Sequence, residues 1–334
     1  MATTPQTNTT LERIALALKD ADDIVIGGHI SPDGDCLGSQ LGLACALRQL
    51  GKNVTCTLAS EAPLDPGLLF LPGSGELVYA GLPQRRPKTF VAVDVPTRDR
   101  LGEAQWKLHE KASLTITIDH HAVDSRMAAL SYTDPDAASC SMLVWEVAKL
   151  LGVTLEGDVA ACAYTGLMTD TGSFRNQNAD VRAFAAAAEM VAAGADAGGI
   201  ASNVYQSRTI ASLRLEARVV ERMRFAANGG FLISYLTLKD FEETGAVMAD
   251  AEQSVSLLRS LAGVRVACML KEVEGAKGVF IKGSFRAKDD TDVREIASRH
   301  SGGGHRAAAG FKMFCPMDHA IEQLVGEFEE LLGA

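Results

Sequence analysis

Along the first two hundred residues, short apolar runs rich in β-branched side chains alternate with longer segments of helical spacing. This is the pattern of βαβ units built around a parallel sheet. Ile24 to Ile26, Val54 to Leu58, Phe90 to Val93 and Leu114 to Ile118 read as strands. Leu37 to Leu50 reads as the crossover helix of the first strand, closed by Gly51. Ala137 to Leu151, Asp158 to Thr169 and the alanine-rich Val181 to Ala193 read as further helices. Gly198 to about Thr209 reads as a linker, and Ile210 to Phe225 has the apolar spacing of a long amphipathic helix. Beyond it, strands at Phe231 to Leu238, Arg265 to Leu270 and Gly278 to Phe285 mix with helices at Ala251 to Leu261, Asp292 to Arg299 and Asp318 to Leu332. The fold class expected is α/β. Residues 1–197 form a parallel-sheet domain with helices on both faces, 198–225 a linker and connecting helix, and 226–334 a smaller mixed α/β domain.

At 334 residues with 47% hydrophobic content, the chain can bury a core in each domain. The opening MATTPQTNTT has neither a basic n-region nor an apolar h-segment, and no apolar run approaches the roughly 18 residues of a membrane span. A soluble, cytoplasmic protein is expected. Seven cysteines, scattered and never in C-x-x-C, read as buried thiols rather than as a zinc site or disulfide framework. A net charge of -10 argues against coating a long duplex, which rests on Lys and Arg neutralising phosphates. Short phosphorylated substrates stay open, and residues 271–312 carry nine Lys/Arg against six Asp/Glu. On charge alone that excess of three reads as an ordinary solvated face.

Chemistry enters with four acidic elements. GHISPDGD places His29, Asp33 and Asp35 just after the first strand, in the spacing H-x-x-x-D-x-D. Asp94 ends FVAVDVP, Asp119-His120-His121 ends TITIDHH, and Asp170 lies in GLMTDTGSF. Singly, each has a bland explanation: Asp94 or Asp170 as a turn or helix cap, His29 as a core histidine bonded to backbone. Together, three of them follow predicted strands, and open α/β sheets bind ligands beyond the carboxyl ends of their strands. Clustered carboxylates repel and are costly to desolvate unless a cation neutralises them. Carboxylates mixed with imidazoles, without thiolates, suit Mn²⁺ or Mg²⁺, and also other imidazole-tolerant divalent ions, better than structural zinc. So many acidic groups in one crevice suggest two ions, the arrangement of metal-assisted phosphoester hydrolysis.

These motifs, in this order, resemble those of the DHH phosphoesterase superfamily. The similarity covers nearly the whole chain, because GSFRAK (Gly283 to Lys288) and SGGGHRAAAG (Ser301 to Gly310) are similar to the companion DHHA1 domain. The resemblance implies that His29, Asp33 and Asp94 hold one Mn²⁺ ion and Asp35, Asp94, His120 and Asp170 the other, Asp94 bridging. It implies that Asp119 orients a ligand and that His121 faces the scissile phosphate. Asp124 and Asp134 match no family ligand and read as surface or capping residues. In the second domain it implies substrate contacts from Arg286, Gly302, Gly303, Gly304 and His305. Without it, the glycine run reads as a flexible loop whose bare N–H groups can cradle phosphate.

Within the superfamily, the size and two-domain layout look like the stand-alone NrnA-type bacterial proteins. These act on short oligoribonucleotides, releasing mononucleotides, and convert pAp to AMP. The partners implied are short single-stranded RNA or small 3′-phosphorylated or cyclic dinucleotides, with no membrane, and a homodimer is compatible with the layout. Competing readings are a cyclic di-AMP or pApA phosphodiesterase using the same site, and a metal-stabilised nucleotide-binding module without catalysis, whose mark would be a missing ligand. Every expected ligand is present. A RecJ-like exonuclease would be expected to carry a further nucleic-acid-binding domain, and pyrophosphatases of the superfamily lack GGGH. A dinucleotide-binding dehydrogenase is disfavoured, since neither G-x-G-x-x-G nor a P-loop follows the first strand.

Overall fold

The structure, a computed structural model, describes residues 4–82, 85–251, 254–275 and 278–333, with His305 described for its backbone only. The chain divides into two compact units, Met1–Ser207 and Arg208–Ala334.

In the first unit the elements run α1 (Leu11–Asp20), β1 (Ile24–Gly27), α2 (Gly34–Gln49), β2 (Val54–Leu58), β3 (Val78–Tyr79), β4 (Thr89–Val93), α3 (Arg98–Leu101), α4 (Glu103–Lys111), β5 (Leu114–Asp119), β6 (Leu130–Thr133), α5 (Cys140–Leu151), α6 (Asp158–Asp170), α7 (Val181–Ala192) and α8 (Ala197–Tyr205). The six strands pair parallel in the order β3-β2-β1-β4-β5-β6. The central strands β1 and β4 are buried on both faces, which is why IVIG and TFVAV are unbroken apolar runs rather than alternating ones. One face packs into the main core with α1, α2 and α5–α8. A smaller cluster of Phe90, Ala92, Leu101, Leu108 and their neighbours lies on the other face, under α3 and α4. The chain winds outward from β1 to β3 and then returns to β4 beside β1. The order of the sheet therefore reverses between β1 and β4, and a crevice opens where these two strands end.

The second unit runs α9 (Ile210–Glu221), β7 (Arg224–Ala226), β8 (Phe231–Leu236), α10 (Leu238–Thr244), α11 (Ser254–Ser260), β9 (Val266–Gly275), β10 (Gly278–Ala287), α12 (Val293–Arg299), β11 (Gly303–His305), β12 (Ala308–Met313) and α13 (Met317–Leu332). Its sheet, β11-β12-β10-β9-β8-β7, is antiparallel except for the β8–β9 pair.

Several sequence readings change here. The segment read as a linker from Gly198 is helix α8: Asp196 caps it by accepting from the Gly199 N–H at 3.0 Å, and Ile200 and Val204 pack on the core. The helix from Ile210 stops at Glu221, because Arg224 to Ala226 pair with β8 instead. The glycine run is no loop. Gly303, Gly304 and His305 form edge strand β11 against Gly310, Ala309 and Ala308 of β12. Of the seven cysteines, all free, Cys45 and Cys315 are only partly buried.

Candidate metal centre

The crevice is built from the ends of β1, β4 and β5 and of helix α6. His29 leaves β1 through Gly28, where a Cβ would lie 2.2 Å from the Cys36 sulfur. Buried Gln105 of α4 fixes this exit by donating from Nε2 to the Gly28 and Leu101 carbonyls at 2.6 and 2.8 Å. Asp33 is the N-cap of α2: its Oδ1 accepts from the Asp35 and Cys36 N–H groups at 3.1 and 3.0 Å. Asp35, on the first turn of α2, is held in turn by the start of α5. Its Oδ2 accepts from Cys140 N at 2.7 Å and its Oδ1 from Ser141 N at 2.9 Å, where the positive end of that helix favours a carboxylate. Asp94 takes a left-handed backbone conformation (φ 55°) and donates its N–H to the Ile118 carbonyl, which turns its side chain into the crevice.

The DHH turn assigns its three side chains different tasks. Asp119 Oδ1 accepts from both the His120 backbone N–H and His121 Nδ1, each at 2.8 Å. His120 Nδ1 donates to the Ala137 carbonyl at 3.2 Å, because a carbonyl only accepts. Its Nε2 therefore faces Asp94 Oδ1 at 3.5 Å, Asp35 Oδ2 at 3.8 Å and Asp170 Oδ2 at 3.9 Å. His29 Nε2 lies 3.4 Å from Asp94 Oδ2 and 3.6 Å from Asp33 Oδ1. Asp170 is the last residue of α6, after which Gly172, Ser173 and Phe174 all take left-handed conformations. That helix comes close enough to deliver it because of glycine: a Cβ on Gly166 would lie 2.5 Å from Ser141 Oγ and 2.7 Å from Asp35 Oδ1.

Electrostatically the crevice is short of positive charge. Burial opposes charging of His29, yet Asp33 and Asp94 lift its pKa to about 10. Burial likewise opposes a charged His120, but Asp94, Asp170 and Asp35 raise it well above the usual histidine value. Burial pushes Asp35 well up, with Asp94 and Asp170 adding to it, and lifts Asp170 to about 6. Protons are thus held where a cation would otherwise sit. Asp94 Oδ1 is buried with no hydrogen-bond partner, an arrangement that costs free energy unless a ligand is bound. Ligands about 2.1 Å from one ion stand roughly 3 to 3.5 Å from each other, close to the 3.4 to 3.9 Å spacings here and longer than good hydrogen bonds. The donor set, imidazole and carboxylate on buried rigid elements, fits divalent ions.

Three groups have ligand atoms close enough for one ion: Asp35, His120 and Asp170; Asp94, His120 and His121; and His29, Cys36 and Asp94. Asp94 is common to two of them. Asp33 falls outside these groups, since its Oδ1 is turned to the α2 cap and its side chain is 62% exposed. The sequence reading passed over Cys36, Gln105 and Gln6, the last donating to the His121 carbonyl at 3.0 Å. Nothing local marks them, because each acts through a contact made only in the fold. Asp134, read as a surface or capping residue, is buried: it accepts from the Asp136 N–H at 3.0 Å and pairs with Arg182 at 2.7 Å, whereas Asp124 is exposed.

In the second unit, Arg286 lies opposite Ala308, which also pairs with His305, so these positions share one row across β10, β12 and β11. The His305 side chain lies outside the described residues. Two of the three glycines are required by the hairpin itself. A Cβ on Gly302 would lie 2.2 Å from the Gly310 carbonyl, and one on Gly304 would lie 2.5 Å from that of Ala308. Only Gly303 faces open space.

The DHH family, N-terminal domain, matches residues 23–167, and the DHHA1 domain matches residues 228–334. The bifunctional oligoribonuclease and PAP phosphatase NrnA of Thermus thermophilus is 31% identical over 92% of this chain and 90% of its own. Its namesake from Bacillus subtilis is 25% identical, over 88% of this chain and 90% of its own. Among solved structures, an exopolyphosphatase-related protein from Bacteroides fragilis superimposes with a TM-score of 0.86 over 97% of both chains at 25% identity. With both domains present in order and the likeness running almost end to end, this chain belongs to the DHH–DHHA1 family, in the branch of the NrnA proteins.

Proposed function

We propose that the protein is a divalent-metal-dependent phosphoesterase that hydrolyses short oligoribonucleotides to mononucleotides and pAp to AMP, with Mn²⁺ as its metal. The observation that carries this reading is the buried, unpartnered Asp94 Oδ1, set among His29, His120, Asp35 and Asp170 on the ends of four rigid elements. His29 and Asp94 would hold one ion, joined by Asp33, whose Oδ1 lies 3.6 Å from His29 Nε2 although it also caps α2, and Asp35, Asp94, His120 and Asp170 would hold the other. Bound there, two ions supply Lewis acidity toward phosphate and a nucleophilic water at neutral pH.

The chain's own residues do the rest. Asp119 holds the His121 ring through Nδ1, and this imidazole would meet the scissile phosphate. Hydrolysis adds the oxygen of one water to phosphorus and breaks the bond to the ribose oxygen. That oxygen leaves with one proton, and the other is released. In the second unit Arg286 would neutralise a substrate phosphate, and Gly303, alone in having room, would let the nucleotide approach the backbone. Among the described residues no helix is long and apolar enough to cross a membrane, and the seven free cysteines support a reducing, cytoplasmic setting.

The test is product analysis with Mn²⁺ on pAp, a labelled RNA two to five nucleotides long, pApA and cyclic di-AMP in parallel. AMP from pAp and mononucleotides from the RNA are expected. Preference for cyclic di-AMP or pApA would move the protein to dinucleotide turnover, and cleavage of none would make it a binding module.

A further inference from the structure

The sheet of the second unit is covered unevenly. On one face, Ile281 and Phe285 of β10 and Phe311 and Met313 of β12 pack under α12 and α13. On the other, the apolar cluster with α9–α11 takes its sheet residues from β8 and β9 alone, among them Leu232, Leu236, Ala267 and Met269. The same face of β10 and β12 therefore stays half-buried or exposed, with Phe280, Lys282, Ser284 and Arg286 on one strand and Ala308, Gly310 and Lys312 on the other. No carboxylate stands among these positions.

Two features there are unexpected from packing. Lys271 lies opposite Lys282, and Lys282 opposite Lys312, so three lysines form one row across three strands. Placed opposite one another, these lysines concentrate positive charge on this part of the sheet. At the end of the row Lys312 Nζ stands 5.6 Å from the centre of the Phe280 ring. Phe314, 77% exposed, tilts against Phe280 with ring centres 5.8 Å apart. A hollow of about 270 Å³ adjoins this corner, lined by Lys312, Phe314, Arg299 and His319 among others. Cations interleaved with one exposed and one half-buried ring form a surface that can take a single strand by stacking bases and neutralising phosphates.

We propose that this open face binds the body of a short single-stranded RNA, with Phe280 and Phe314 stacking bases and Lys282 and Lys312 meeting phosphates. Lys271, buried behind them, adds to the field. From Arg286 to Phe280 the strand takes six residue steps, about 20 Å, a length that several nucleotides of an extended strand can follow. The proposal rests on the oligoribonuclease reading and adds to it a reason for oligomer preference: a strand of several nucleotides can span from Arg286 to the rings, whereas pAp, a single nucleotide, is too short to do so.

Phe314→Ala and Lys312→Ser, made singly in the full chain, test it at exposed positions. Binding of a fluorescent RNA pentamer is followed by anisotropy in EDTA across a salt series. Phe314→Ala should weaken binding at least about fivefold, the loss of one stacked base, and Lys312→Ser should lower the slope of log affinity against log salt by about 0.7. In the Mn²⁺-loaded enzyme, each variant should lose kcat/KM on the pentamer severalfold more than on pAp. Pentamer binding and a salt slope equal to those of the parent chain in both variants would overturn the proposal, as would a parent chain that binds no pentamer. If both losses occur in EDTA while the parent cleaves no RNA, the surface stands and the oligoribonuclease reading alone fails.

Discussion

Replacing Gly166 by alanine adds one methyl group where α6 packs against Ser141 and Asp35 beside the candidate metal centre. The new Cβ would lie 2.5 Å from Ser141 Oγ, 2.6 Å from Ser141 Cβ and 2.7 Å from Asp35 Oδ1. Ordinary contact begins at 3.4 Å, so α6 must retreat by about 0.9 Å, the difference between 3.4 and 2.5. None of the neighbours can yield cheaply. Asp35 is pinned by two N–H groups of α5, and Ser141 Oγ lies 2.9 Å from Ser139 Oγ inside the core. Overpacking of this kind costs about 1–3 kcal/mol, offset by the roughly 0.5–1 kcal/mol that alanine gains over glycine within a helix. The net loss is about 1–2 kcal/mol, which for a unit of this size lowers its Tm by about 2–8 °C. Function should suffer more. A shift near 1 Å separates Asp170 from Asp35 and His120, and displacements of that size commonly cost about 10²-fold in rate. Calorimetry combined with Mn²⁺ stoichiometry and turnover of a short RNA reads all three effects. A Gly166→Ala chain with the parent's Tm, metal content and kcat would refute the claim that α6 is packed to position Asp170.

Other outcomes follow from the same geometry. Asp94→Asn keeps the size and the tolerance for a left-handed backbone but removes the charge common to two candidate ligand groups, so metal content and hydrolysis should both collapse; an active variant would contradict its proposed role as a ligand. His121→Ala should lower kcat by about 10²- to 10⁴-fold with metal content nearly unchanged, and loss of metal would show that this imidazole is a ligand. Gln6→Leu breaks the bond to the His121 carbonyl and should lower kcat several-fold without changing metal content, whereas unchanged kinetics would make that contact structural only. In the second unit, burial pushes the Asp240 carboxyl up, but the Arg222 guanidinium and the Thr237 N–H and hydroxyl outweigh it and hold the pKa at about 2. That value lies below the unfolded one of about 3.9, so the pair stabilises above pH 4 and loses about 2 kcal/mol as pH falls toward 2. The urea midpoint of the second unit should drop across that window, and the drop should shrink in Asp240→Asn; an identical drop in both would refute it.

What was legible in the sequence was whatever is local. The runs at Ile24, Val54, Phe90 and Leu114 are strands because each is apolar enough to be buried in a parallel sheet, and three of the four acidic motifs sit where the first, third and fourth of them stop. The crossover helix after β1 begins three residues before Leu37, at Gly34, because Asp33 caps it there, a role hidden behind its ligand spacing. Short or charged elements were not legible: β3 is two residues long, β6 alternates over only four, and α4 carries EAQWKLHEK with one narrow buried face. As sequence alone, the glycine run reads as a loop, because bare glycine runs mark turns and loops. Yet Gly302 and Gly304 are glycine for the opposite reason, since β11 presses against the backbone of β12 too closely for any side chain. Gln6 and Gln105 carry no motif, and only the folded chain shows that they hold the backbone at His121 and next to His29.

The central claim is that the crevice at the ends of β1 and β4 holds two divalent ions and uses them on phosphoesters. The measurement that tests it most directly is equilibrium dialysis of the metal-free full chain against Mn²⁺, with bound ions counted as hydrolysis of a labelled RNA trinucleotide is followed. Two ions per chain, activity that rises with occupancy, and loss of both in Asp94→Asn are expected. Full hydrolysis by the metal-free chain, or a chain that binds no Mn²⁺ at concentrations where it turns over RNA, would contradict it.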